Sequence, residues 1–388
     1  MTYSTLGTQK NYLDQPLFLG NTVGIARYDR VRYPQLLKLT ERAHSYNWIP
    51  DEVDLKRDAT DFRKLPEAEQ HIFVSNLRRQ ILSDTFAARG PSITLLPLVS
   101  QPELETWIQT WAFFETIHSR AYTHIIRTVF QNDPGKVLDG ILDVPEIVAS
   151  VQDTTDVFDD LYKYGALYNL YGEGEIEIER PGSAINGYTD HFKEIIYITK
   201  RELKKKIYLA FVQMNILEGV RFYVSFACSW AFAEQKKMME GNAKEIKFIC
   251  RDENLHLAGT QHVIKILSED PDFVDIIEET HDQVIDMFRA SNEQEKDWAR
   301  YLMQHGSMLG LNYEMLALEV DHRTHKCMTL LGYESEYKHA ASDPMPWMKK
   351  WISGAEVQVA PQETQITSYR VGVLDTTISD NDFEDYKL

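Results

Sequence analysis

The sequence predicts an all-α protein: a four-helix-bundle core with additional helices, one small β-hairpin element and a C-terminal tail. Three observations carry that expectation. Apolar residues recur at helical spacing over most of the 388 residues, with Pro and Gly falling where helices should begin and end. The stretch from Ile207 to Ala233, IYLAFVQMNILEGVRFYVSFACSWAFA, is apolar nearly all round, which marks a helix buried at the centre of a bundle. Two Glu-x-x-His pairs, each preceded by a lone carboxylate in an apolar stretch, fall in the predicted helices.

Taken in order, residues 1–33 are rich in Gly, Asn and Tyr without helical period and read as an N-terminal arm. Helical patterns then cover roughly 34–47, 67–88, 102–130, 145–170, 201–239, 242–268, 271–290 and 293–331. Pro102 followed by ELETW is a helix start, and Gly241 in MMEGN a stop. Gly219 and Gly259 lie inside helical patterns and point to close packing or a local distortion. Between Tyr171 and Arg201, two short β-type runs flank a Pro-Gly/Asn-Gly segment, the pattern of a hairpin. After Trp351 the apolar period is lost. The chain therefore divides into a domain at 1–353 and a tail at 354–388, read as mobile in the free protein.

The chemistry lies in the two motif sets. The first is Asp84, Glu115 and His118; the second is Glu218, Glu253 and His256. Lone carboxylate and Glu-x-x-His are 31 residues apart in the first and 35 in the second, as if one ligand-bearing helix pair occurred twice. Positions i and i+3 share a helix face, so each Glu and His can address one metal ion. A carboxylate from a facing helix completes the dinuclear site of a ferritin-like bundle. Glu-x-x-His also occurs at Glu41/His44, Glu278/His281, Glu319/His322 and Glu336/His339, but in polar surroundings, where solvated helix-face charge is the reading. The two singled-out pairs sit in WAFFETIHSRAY and FICRDENLHLAG. An unpaired buried carboxylate costs several kcal/mol, so four of them with two imidazoles at matched spacing point to bound cations.

Composition narrows the alternatives. A net charge of −18 argues against a nucleic-acid or anionic-membrane surface. Gln213, Glu218 and Arg221 near the middle of the apolar stretch oppose a membrane span. Cys228, Cys250 and Cys327 form no CxxC pair and read as packed thiols in a reducing cytoplasm. MTYSTLGTQKNY has no signal-peptide apolar core.

Longer matches identify a family. WAFFETIHSRAYTHIIR, RFYVSFACSWAFAE, RDENLHLAGTQH, FLGNTVGIARYD, EGNAK, NEQEKDWARYL and VQVAPQETQITSY resemble the small, radical-bearing subunit of class I ribonucleotide reductase, in the class Ia form of enteric bacteria and their phages. The resemblance implies two iron ions per chain, with manganese as the second choice: Asp84, Glu115 and His118 on one, Glu218, Glu253 and His256 on the other. It implies that dioxygen activation there oxidises Tyr122 to a stable tyrosyl radical. Tyr122 lies four residues after His118, on the same helix face. Phe222, Phe226 and Ile249 match the apolar pocket around that radical, and Trp48 and Asp252 the electron relay through His118. Tyr369 and Glu363 match the tail residues that pass the oxidising equivalent onward. The terminus DNDFEDYKL matches the peptide that docks on the large subunit; Tyr386, within it, has no assigned role. A cytoplasmic homodimer, active with its large subunit, is the implied assembly. The competing classes are a di-iron oxygenase or acyl desaturase, which would have no use for a relay tail, and an iron-storage protein, for which the chain is too long and its core too aromatic.

Overall fold

The computed structural model describes residues 3–185 and 188–353, without the side chains of 180–192. Tyr369, Glu363 and Tyr386, with the rest of the 354–388 tail, lie outside the described residues. In chain order the first helices are α1 (Pro34–Ser45), α2 (Lys56–Phe62), α3 (Glu67–Leu95), α4 (Pro102–Val129), α5 (Pro134–Asp139) and α6 (Pro145–Tyr171). A hairpin of β1 (Gly174–Ile185) and β2 (Tyr188–Ile198) follows. After it come α7 (Lys200–Ile216), a π-helical turn (Leu217–Arg221), α8 (Tyr223–Lys236) and α9 (Glu240–Glu269). The chain continues through α10 (Pro271–Glu279), α11 (His281–Leu302), α12 (Tyr313–Leu330) and the short α13 (Lys349–Ile352).

Proline sets several of the starts. α1, α4, α5, α6 and α10 each open on one, where its missing N–H would have had no helical partner. The core is a four-helix bundle: α3 packs along α4, α7 and α8 pack along α9, and α4 meets α9 across the middle. Every residue from Ile207 to Ala233 is buried, and no described helix is long and apolar enough to cross a membrane. The predicted arm has no helix but is packed: Leu17 and Phe18 are buried, the Leu19 N–H donates to Leu98 O at 2.8 Å, and the Ser100 N–H donates to Leu17 O at 3.0 Å. The hairpin pairs Gly174 with Ile198 and turns Ile176, Ile196 and Ile198 inward while Ile195 and Tyr197 face out, the alternation expected of a half-covered ribbon.

Several boundaries differ from expectation, each for a physical reason. α3 runs past 88 through Pro91 to Leu95; Pro91 deprives only Ala87 O of its helical N–H donor, and the Ser92 and Thr94 hydroxyls around it donate back to Ala88 O and Gly90 O. The expected helices at 271–290 and 293–331 are three. One break falls at Thr280; the other is the loop after Leu302, where Gly306 (φ 128°) and Gly310 (φ 76°) take conformations that other residues rarely adopt. Gly241 does not stop a helix but lies in the first turn of α9. There α2, absent from the sequence reading, supplies the cap: Asp58 accepts the Gly241 and Asn242 N–H groups (3.2 and 2.6 Å), and Asp61 accepts that of Met239 (3.2 Å).

Gly259 marks a close approach. A Cβ there would stand 2.4 Å from Trp107 Cζ2, and the indole is rigid and buried. We predict that Gly259→Ala lowers stability by about 1–3 kcal/mol, the usual range for overpacking, while keeping helical content. A melting temperature equal to that of the parent would refute this.

Candidate metal centre

Each metal-site candidate sits on a bundle element: Asp84 on α3, Glu115 and His118 on α4, Glu218 on the π turn, Glu253 and His256 on α9. All six are buried at 1% exposure or less. Asp84, Glu115, His118 and Glu253 offer ligand atoms within 4.8 Å of one another, and so do Glu115, Glu218, Glu253 and His256. The two sequence sets are therefore not separate. Glu115 and Glu253 belong to both groups, as carboxylates do when they bridge two ions.

The π turn explains how Glu218 arrives. It widens the helix by one residue, and the Arg79 guanidinium donates to Arg221 O at 3.3 Å, where the ordinary ladder is interrupted. Gly219 lets this turn pack: a Cβ on it would lie 2.4 Å from Cys327 Sγ.

The donor set fits metal cations. Both oxygens of Asp84 and Glu218, one of Glu115, one of Glu253, and His118 Nδ1 have no hydrogen-bond partner. His118 Nδ1 stands 3.1 Å from Glu253 and 3.4 Å from Glu115, while His256 Nδ1 stands 2.8 Å from Glu253 and 3.0 Å from Glu115. Burial, then Glu115 and Glu253, pushes the Asp84 carboxyl well up; burial, then Glu253 and Glu115, does the same to Glu218. Glu253 goes the other way: burial opposes its charge, but His118 and His256 hold its carboxyl low. His256 rises to about 9, its burial outweighed by hydrogen bonds to Glu115 and Glu253. Once ionised, the four carboxylates converging in this buried core would carry four negative charges, which two divalent ions would neutralise.

Around the ligands, Trp48 Nε1 donates to Asp252 Oδ2 at 2.8 Å, and the same oxygen lies 3.3 Å from His118 Nε2. Trp48, Asp252 and His118 thus form one buried hydrogen-bonded chain. With Nε2–H turned to Asp252, His118 presents its Nδ1 lone pair to the ligand cluster. Tyr122 is fully buried, and its hydroxyl is directed at Asp84 without good hydrogen-bond geometry. Burial, then the charges of Asp84, Glu253 and Glu115, pushes its phenol well above the usual range, so the proton stays on oxygen. Phe222 and Phe226 are buried and stacked, with centroids 5.6 Å apart; Ile249 is buried one turn before Glu253.

Two aromatic neighbours were not singled out in the sequence. Trp111 Nε1 donates to Glu115 Oε1 at 2.8 Å, with its ring 5.5 Å from that of His256; Trp107 is 6.3 Å from the same imidazole. The available signal was spacing, since Trp111 is four residues before Glu115. Of the other Glu-x-x-His pairs, Glu41/His44, Glu278/His281 and Glu336/His339 are exposed, as expected of solvated charge. Glu319 is not: it is fully buried, because Arg323 one turn on donates to it at 2.6 Å and neutralises it. The three cysteines are buried and free, their thiols raised to about 12, 12 and 11 by burial.

Comparison with known proteins places this geometry in a family. The ribonucleotide reductase small chain family matches residues 26–344. A ribonucleoside-diphosphate reductase subunit beta from Haemophilus influenzae is 47% identical over the full length of both chains. Subunit beta of ribonucleoside-diphosphate reductase 1 from Escherichia coli O157:H7 is 44% identical, again over all of both. The corresponding phage T4 subunit is 38% identical over 97% of this chain and 96% of its own. In fold, the chain resembles the R2 subunit from Clostridium botulinum (TM-score 0.75, 20% identity, 91% of this chain and 99% of that one). It also resembles the dimanganese(II)-NrdF of Streptococcus sanguinis (TM-score 0.64, 16% identity, 85% of this chain and all of that one). An all-α bundle with a buried two-metal ligand set, matched in sequence from end to end, belongs to the small-subunit family of ribonucleotide reductase.

Proposed function

We propose that this chain is the radical-generating subunit of an aerobic ribonucleoside-diphosphate reductase, with Tyr122 as the residue that holds the radical. The observation that carries the reading is the pair of ligand groups sharing Glu115 and Glu253, with the Tyr122 phenol directed at Asp84. Two redox-active ions bound there would supply the electrons to cleave dioxygen and the oxidising power to take one electron from a phenol. The protein's own part is positional. Asp84, Glu115, Glu218 and Glu253 hold the ions in an anionic, oxygen-rich set, with His118 and His256 completing it. Iron is our reading of the metal, two per chain; such a set also accepts manganese, and metal analysis of the purified protein decides.

Tyr122 is oxidised by losing an electron and its hydroxyl proton together, since the buried phenol cannot hold a separate charge. Phe222, Phe226 and Ile249 belong to the buried apolar wall that keeps reductants away. Trp48, through Asp252 and His118, offers a route for an electron across three buried side chains. We assign Tyr369 and Glu363 to the onward relay and the terminal peptide to docking on a large subunit, where the ribonucleotide is reduced. The working assembly is a homodimer with that large subunit; the exposed Ile25 and Phe113 are apolar surface of the kind a partner covers.

Truncation after Gly372 tests the tail. All six ligands and Tyr122 lie between residues 84 and 256, so the truncated protein should keep its metals and radical yet give no turnover with a cognate large subunit. Tyr369→Phe should bind the large subunit and keep the radical but lose turnover, because phenylalanine has no phenol to oxidise. Turnover at the parent rate by this variant would refute the relay assignment.

A further inference from the structure

One set of buried polar groups is not used by the ligand cluster. On α3, Asn76, Gln80 and Asp84 are spaced four residues apart and so share a face. Asn76 and Gln80 are 2% and 1% exposed, and no side-chain nitrogen or oxygen of either has a hydrogen-bond partner; Asn76 lies against the Cys228 thiol without meeting that geometry. On α9, Asn242 is fully buried with both amide atoms unpartnered. Glu245, also fully buried, accepts from His124 Nδ1 at 2.7 Å through one oxygen and leaves the other without a partner.

These groups lie on the same side of the metal centre. His118 on α4 meets both Asp84 and Glu253 (3.8 and 3.1 Å). Six residues further along α4, His124 meets Glu245, eight residues before Glu253, so α9 runs antiparallel to α4. α3 runs the same way as α9: Arg78, six residues before Asp84, donates to Val137 O just beyond the end of α4. At a rise of about 1.5 Å per residue, Gln80 and Asn76 stand roughly 6 and 12 Å from Asp84 along the axis, so that Asn76 is at about the height of Glu245 and Gln80 lies between that level and the metal centre. The neighbouring side chains Leu77, Ile125, Ile126, Ile246 and Ile249 are apolar and buried.

Leaving seven buried amide and carboxylate atoms unbonded would cost about 1–3 kcal/mol each, and buried water is the usual partner for such groups. We propose that Asn76, Gln80, Asn242 and Glu245 line a file of ordered water connecting the surface at His124 with Asp84 and Tyr122, and that this file is the route by which water and protons exchange with the metal centre. The proposal rests on the dimetal reading above. At the outer end His124 is partly exposed. Asp51 and Asp58 also face Glu245; burial, opposed by His124, raises its carboxyl to about 8, so it can take or give a proton near neutrality.

The test is made on the full-length protein loaded with Mn(II) alone. A high-resolution crystal structure should show water bridging the Asn76, Gln80, Asn242 and Glu245 side chains. After a rapid jump into D2O and freeze-quenching, deuteron electron–nuclear double resonance at the Mn(II) centre should show exchange at least tenfold slower in Gln80→Leu and Asn242→Leu than in the parent. Gln80→Glu, which restores a polar group, should recover the rate. Should Gln80→Leu fail to fold, Asn242→Leu and the parent crystal structure decide. A dry, mutually paired cluster, or parent-rate exchange in a leucine variant that binds Mn(II) fully, would overturn the file. Failure of the parent to bind two Mn(II) ions would instead overturn the dimetal reading.

Discussion

Replacing either Glu115 or Glu253 with Ala should abolish binding of two metal ions per chain, read as metal content after gel filtration. Each belongs to both ligand groups, so one substitution would remove a donor that the two groups have in common. Loss of a supporting contact outside the ligand shell costs 10–100-fold in metal affinity; loss of a shared ligand should exceed the upper end of that range. The variants should also lose most of the thermal stabilisation that metal gives the parent, since an ion that binds only the folded chain raises its stability by mass action. The control is Glu278→Ala, from an exposed Glu-x-x-His, which should bind metal as the parent does. Equal metal loss in all three variants would contradict the assignment of the site.

The burial contrast behind that control was partly legible in the sequence. The helices carrying the ligands were readable because apolar residues recur along them at helical spacing, and WAFFETIH differs visibly from EETHDQ. Context misled at Glu319, whose polar neighbours suggested solvent. A charged residue can be buried when its counter-ion lies one turn away, and Arg323 does that. The helix α2 was missed because it is only seven residues long and owes its place to distant contacts: Asp58 and Asp61 cap α9, which follows some 180 residues later. No local pattern announces such a cap.

The site shows the same limit. Spacing pointed to two sets of three ligands, and all six converge, but that Glu115 and Glu253 are common to both groups depends on how α4 and α9 pack. Gly219 hinted at a distortion; that it is a π turn, held by Arg79 and packed on Cys327, is set by partners far away in the sequence. Asn76 and Gln80 read locally as ordinary polar helix residues, and only their complete burial makes them informative.

Tyr122→Phe should have the largest effect on activity of any single change that leaves the fold intact. The ring is fully buried and the phenol oxygen makes no hydrogen bond of good geometry. Removing it keeps the packing and leaves all six ligands in place, so metal content and melting temperature should stay near those of the parent. What disappears is the oxidisable O–H. Turnover with a large subunit should fall to background, because no neighbouring phenylalanine can hold a radical of comparable stability.

The most direct test of the account is electron paramagnetic resonance of the metal-free protein after addition of two ferrous ions per chain and air. The parent should develop a persistent tyrosyl signal, and Tyr122→Phe, with the same iron content, should develop none. A persistent tyrosyl signal of parent intensity in Tyr122→Phe, or its absence from a fully iron-loaded parent, would contradict the claim that this centre exists to oxidise Tyr122.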